Sequence, residues 1–142
     1  MSPQLIDLLI TSLLDTLLMV GVASAIAVVI GIPLGVTLTV TARGNMLENQ
    51  PVNHVLGAII NATRSVPFVI LMVAIIPFTR LVAQTSIGTT AAIVPLSVAA
   101  IPFMARIAEN AMREVDPGLI TAARAMGASP MQIILKLSLI HI

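Results

Sequence analysis

From Thr16 to Val40 the chain runs for 25 residues without one charged side chain. As a helix rising 1.5 Å per residue this block covers about 38 Å, more than the roughly 30 Å hydrocarbon core of a bilayer. An amphipathic helix or strand of a soluble domain would interleave polar residues at its own period, and this block does not. Composition points the same way. Of the 142 residues 58% are hydrophobic and 9% are charged, against roughly a quarter charged in a soluble globular domain. Too little polar surface is left to solvate a compact soluble fold, so the chain reads as an all-α, multi-pass membrane protein surrounded by the lipid bilayer.

The same inventory excludes several kinds of chemistry. A net charge of +1, with three Phe and no Tyr or Trp, lacks the clustered cations and aromatics of a nucleic-acid binder. There is no cysteine, and His54 and His141 lie far apart, which leaves no metal or thiolate site to build. No G-x-x-x-x-G-K-[ST] loop occurs and Lys136 is the only lysine, so the chain has no means of cradling ATP in that manner. It is expected to be no enzyme and to carry no cofactor. The eight methionines read as ordinary packing residues.

Three membrane spans are expected, at about 16–40, 55–79 and 81–105. The second is interrupted by Arg64, and the third is bracketed by Arg80 and Arg106, with room for only a tight hairpin between them. Residues 1–15 form an external N-terminal segment, in which Leu5 to Leu14, interrupted by Asp7, either extend the first helix or lie at the interface. Ala23-Ser24-Ala25 resembles a cleavage site, but no basic region precedes it and the apolar run continues beyond. Pro33, Pro67, Pro77, Pro95 and Pro102 fall within the spans; they bend helices, as transporters require, or are simply tolerated there. The N-terminal tail has no basic residue, whereas Arg43, Arg106, Arg113, Arg124 and Lys136 flank the other side. By the positive-inside rule the N-terminus is outside and the stretch after Ala105 is cytoplasmic, with Arg80 the exception.

That cytoplasmic stretch carries the sharpest local signals. Asp116-Pro117 is an acidic cap followed by proline at the first helical position, and Gly127 is a stop. They predict a short helix, Gly118 to Met126, with Leu119, Ala122, Ala123 and Met126 on one face. A helix so short is marginal in water and needs a surface to pack on: a groove on another protein, which its small alanines suit, or the membrane surface. Ser129-Pro130 repeats the start signal ahead of a second stretch, Met131 to Leu139.

The run Leu119-Ile120-Thr121-Ala122-Ala123-Arg124-Ala125-Met126-Gly127-Ala128-Ser129-Pro130 resembles the EAA loop of bacterial ABC-import permeases. Arg64-Ser65-Val66-Pro67-Phe68, Ile76-Pro77-Phe78-Thr79-Arg80, Thr85-Ser86-Ile87-Gly88, Ala92-Ile93-Val94-Pro95-Leu96, Pro102-Phe103 with Ala105-Arg106, and Glu109-Asn110-Ala111 look like the methionine-import permease branch of that family. The resemblance implies an incomplete type 1 permease domain over 12–142: three transmembrane helices and a cytoplasmic coupling helix from the N-terminal part of a five-helix fold. It implies a bacterial inner-membrane location, a second permease copy as homodimer partner, an ATP-binding ABC subunit and an extracytoplasmic methionine-binding protein. The ATPase would be met by Gly118, Leu119, Ile120, Thr121, Ala122, Ala123, Arg124, Ala125, Met126 and Gly127. A permease for another amino acid and an inactive permease fragment are the alternatives.

Two departures from the family pattern stand out. Thr121 occupies the place where the family has a glutamate, and Leu137-Ser138-Leu139 should lead to a proline and two further spans, where Ile140-His141-Ile142 stands instead. A C-terminal truncation or frameshift is the expectation. Within the spans, Arg64 with Pro67 is read either as a gate or path element, since intramembrane charges usually face a bundle interior, or as a side chain that snorkels to the cytoplasmic interface. Glu109 and Arg113 are expected to pair at i, i+4 on a solvated face.

Overall fold

The computed structural model describes residues 3–138, and every regular element among them is helical. The first helix, α1 (Pro3–Thr41), is 39 residues long. It takes in Leu5 to Leu14 without a break, so this stretch extends the first helix, to about 58 Å at 1.5 Å per residue. Its N-terminal half exposes Leu8, Leu9, Leu13, Leu14 and Leu17, as a lipid-facing wall can.

The end of α1 accounts for all its backbone acceptors. A helix leaves its last four carbonyls without intrahelical partners, and here each finds one. The Leu38 carbonyl accepts from Asn53 Nδ2 at 2.6 Å, and that of Thr39 from Asn45 Nδ2 at 2.5 Å. The carbonyls of Val40 and Thr41 accept from the backbone N–H groups of Leu47 and Asn49 at 3.1 and 3.0 Å. The connection 42–49 is thereby tied down, and Asn49 in turn caps α2 (Gln50–Ser65) by accepting from the Val52 N–H.

The second expected span, 55–79, is divided among α2, α3 (Phe68–Ala74) and α4 (Ile76–Ala83). Proline disfavours a helical conformation in the residue before it, and Val66, ahead of Pro67, is extended at φ −83°, ψ 127°. The α2 and α3 axes consequently turn by 106°. The hairpin also lies later than Arg80 suggested. Arg80 sits within the last turn of α4, and the chain reverses over Gln84–Gly88, where Gln84 and Gly88 adopt φ 58° and 99°. Thr85 Oγ1 braces the turn, accepting from the Ile87 N–H. The third expected span, 81–105, is displaced accordingly to α5 (Thr89–Arg113). Among the described residues α1 and α5 are long and apolar enough to cross a membrane, with a third crossing if the bent α2–α3 pair counts as one.

Helices α1 and α5 form the main packing seam, and small residues make it. Ala23, Ala27, Gly31 and Gly35, spaced by four, are all buried on one face of α1. A β-carbon on Gly31 would stand 2.7 Å from Met104 Cβ, and one on Gly35 would stand 2.7 Å from Ala108 Cβ. Ala105 and Ala108 are fully buried. Within lipid no hydrophobic drive favours one apolar surface over another, so such close backbone approach is what stabilises helix pairs. Leu38, Ile60 and Ala105 form the core towards the C-terminal end of α1 along this seam, flanked by Leu34 and Leu56. Beyond α5 lie α6 (Pro117–Ala125) and α7 (Pro130–Ile133), the latter continuing as a π-helical turn over Ile134–Ser138. Leu139 and the closing Ile140, His141 and Ile142 lie outside the described residues.

Candidate functional site

The short helix α6 is set by its two ends. Asp116 accepts the Gly118 N–H at 2.6 Å, with Pro117 as the first helical residue. At the other end Gly127 takes φ 82°, its N–H bonds the Arg124 carbonyl at 2.9 Å, and the Ala128 N–H bonds that of Ala123 at 3.0 Å. This pair of bonds is a Schellman motif. The helix starts one residue before the expected Gly118 and closes at Ala125, with Met126 as its cap.

The faces of α6 divide differently from the expected grouping. Ala123 is its one buried residue, with Ile120 half-buried beside it. Leu119 and Met126 are 51% and 82% exposed, and Ala122 is exposed between them. Leu119, Ala122 and Met126 thus form an outward apolar stripe, from which Ala123 has turned away. Gly118, Thr121, Arg124, Ala125 and Gly127 are exposed as well. Thr121 spends its hydroxyl on its own helix, donating to the Pro117 carbonyl at 2.9 Å.

The base of α5, from which α6 departs, is held by a charge cluster. Glu109 is 2% exposed and lies between two guanidinium groups: Arg106 pairs with one carboxylate oxygen, and Arg113 Nη2 reaches the other at 2.6 Å. Arg106 also donates to Asn61 Oδ1 at 2.7 Å, which joins α2 to α5. The expected Glu109–Arg113 pair exists, but Glu109 is buried and not on a solvated face. Its burial follows from Gly35, since a β-carbon there would stand 3.1 Å from the Glu109 backbone nitrogen.

Arg64 occupies the last turn of α2, immediately ahead of the Val66–Pro67 break. It lines an open groove of about 510 Å³ together with Thr63, Val66, Phe68, Leu71, Leu96 and Phe103. The α5 residues of this groove straddle Ile101, which is halfway along Thr89–Arg113. Arg64 is exposed at the edge of this open groove. Pro67 contributes through the bend and is not itself a wall of the groove.

Residues 27–142 match the family of binding-protein-dependent transport system inner membrane components. A probable D-methionine transport system permease protein MetI of Vibrio cholerae is 56% identical over 94% of this chain and 59% of its own length. The D-methionine transport system permease protein MetI of Escherichia coli K12 is 50% identical over 98% of this chain and 64% of its own length. In structure the chain superposes on an inward-facing conformation of the MetNI methionine ABC transporter with a TM-score of 0.95 at 50% identity, covering 98% of this chain and 64% of that one. The chain therefore spans about three-fifths of the length of the relatives it matches.

Proposed function

Because the chain belongs to the family of inner membrane components of binding-protein-dependent transport systems, we propose that it serves as a membrane-spanning permease subunit of an ATP-driven methionine importer. Energy comes from a separate ATP-binding subunit, since no phosphate-cradling loop exists in this sequence. A second permease copy would complete the path, and an extracytoplasmic methionine-binding protein would deliver the substrate. The N-terminus lies outside, by the distribution of Arg and Lys.

The observation that carries this reading is the α6 stripe. A helix of nine residues is marginal alone, and this one keeps Leu119, Ala122 and Met126 on its outer side while burying only Ala123. Such a surface suits insertion into a cleft of the ATPase, with Ala122 permitting close backbone approach. Motion of the ATPase pair would pass through α6 into α5, whose base is clamped to α2 by Arg106 and Asn61. The break at Pro67 lets the α2–α3 pair respond as separate pieces.

Co-expression with the ATPase of its own transporter tests the proposal. The two chains should co-purify, and with the binding protein in proteoliposomes they should take up methionine when ATP is present. Failure to co-purify removes the coupling assignment. Co-purification without uptake identifies a docking-competent fragment, and uptake of a different amino acid in preference to methionine corrects the substrate.

A further inference from the structure

We infer that Arg64 is the carboxylate-binding group of a site for a small apolar amino acid, formed in the groove between α2, α3 and α5. The inference rests on the importer reading above and adds a binding residue, a ligand group and a location to it.

Cost is the first argument. A charged side chain level with the middle of a membrane-crossing helix is expensive, and such residues characteristically face a bundle interior or an aqueous cavity. Arg64 has no ion-pair partner among the described residues, while Arg106 and Arg113 share Glu109. Arg64 is thus a solvent-accessible cation at the edge of the open groove, without a counter-charge among the described residues. A carboxylate is the complementary anion, because two of its oxygens can accept from the planar fork in parallel.

Shape and lining supply the second. The groove is about 510 Å³, within the roughly 300–1,000 Å³ range of small-molecule sites. Val66, Phe68, Leu71, Leu96 and Phe103 give it apolar walls, and Arg64 and Thr63 its polar edge. One charge beside an apolar wall matches an amino acid with a carboxylate at one end and an apolar side chain at the other. The site also lies beside the one place where the chain turns by 106°, and discontinuous helices near the bilayer midplane are where transporters hold their substrates. The phosphate of an anionic lipid is the competing ligand, and the apolar walls alone do not separate it from an amino acid.

The absence of native cysteine makes the test direct. Ala100→Cys, or Ala99→Cys, places a single thiol on the groove wall. The variant is purified with its ATPase, reconstituted in nanodiscs and treated with a membrane-impermeant methanethiosulfonate, and the same labelling is read on the chain alone. L-Methionine should slow the reaction, and L-methioninol, which lacks the carboxylate, should not. Adding Arg64→Gln should weaken the protection by about tenfold, as loss of a hydrogen bond to a charged group does, and Arg64→Lys should retain part of it. ATPase co-purification should be unaffected in both. The proposal is overturned if neither thiol reacts, if methioninol protects as well as methionine, if Arg64→Gln protects normally, or if labelling follows the anionic lipid content of the nanodisc and ignores methionine. Loss of ATPase co-purification in the unmutated chain would instead overturn the importer reading, so the two failures are distinguishable.

Discussion

Gly35 of α1 packs so closely on α5 that a β-carbon built on it would stand 2.7 Å from the β-carbon of Ala108. It would also collide with the Ala105 carbonyl, which is backbone and has nowhere to retreat. Gly35→Ala should therefore destabilise the α1–α5 pair by about 1–3 kcal/mol, the usual range for overpacking, and Gly35→Val by more. Gly21→Ala is the control, because nothing lies within 4 Å of that position and alanine favours helix by about 1 kcal/mol over glycine. Thermal unfolding of the purified chain in one detergent, read by loss of helical signal, should rank Gly21→Ala at or above the parent and Gly35→Ala below it.

Glu109 should be far less replaceable than Arg113, although the two are paired. Glu109 is nearly fully buried and Arg113 is 61% exposed. Truncating Glu109 leaves the Arg106 guanidinium inside the protein without its counter-charge, a loss of about 3–5 kcal/mol for a buried pair. Truncating Arg113 removes a solvent-screened partner, worth under about 1 kcal/mol. Glu109→Ala should sharply lower the yield of folded protein in the membrane, and Arg113→Ala should leave it nearly unchanged. Equal losses for both would contradict the burial.

The contrast between α6 and the middle of the chain marks what a sequence carries locally. Asp116-Pro117 and Gly127 act through hydrogen bonds and a backbone angle confined to a few neighbours, so both ends of α6 are readable to within one residue. Ser129-Pro130 is equally local, and Ser129 with Gln132 forms the reciprocal capping bonds. Pro67 marks a possible bend in the same local way, but the 106° turn at Val66–Pro67 is not readable from it, because Pro33, Pro95 and Pro102 sit inside unbroken helices. Arg80 is a poor marker of the hairpin, because a charge near a span end does not fix where the backbone reverses; the glycine at φ 99°, Gly88, does. The burial of Glu109 depends on α1 lying against α5, which no spacing within α5 encodes. Ala23, Ala27, Gly31 and Gly35 carry that close approach in their four-residue spacing, a pattern that span length does not register.

Acid should loosen the connection between α1 and α2. The Glu48 carboxylate accepts from the Gln50 side chain at 2.8 Å and from the Gly44 N–H at 2.9 Å, and these bonds, the Gln50 contact foremost, hold its pKa below the ordinary glutamate value. A lowered folded-state pKa means that the stabilisation is fully present above the ordinary value of about 4.3 and is lost as pH falls through the folded one. Protection of the Gly44 amide against hydrogen exchange, corrected for intrinsic rates, should be flat from neutral pH down to about 5 and should drop below about 4. In Glu48→Gln that step should disappear.

The two sides of α6 should respond oppositely to substitution. Leu119→Asp or Met126→Asp places a charge on the exposed stripe, where the side chains stand 51% and 82% open, so the folded permease should accumulate normally. If the stripe enters the ATPase, the same charge is desolvated without a partner, and co-purification should fall by at least about tenfold, a factor corresponding to 1.4 kcal/mol. Ala123→Leu acts on the inner side, where 7% exposure leaves no room for three added carbons, and should lower the stability of the chain itself. Gly127→Val should do likewise by about 1–2 kcal/mol, the cost of a left-handed backbone for a branched residue, because the Schellman closure at φ 82° would be strained. Stability and ATPase capture, measured on the same four variants, should therefore separate into two groups. If Leu119→Asp and Met126→Asp capture the ATPase as well as the parent does, α6 is not the contact, whatever its resemblance to the EAA loop.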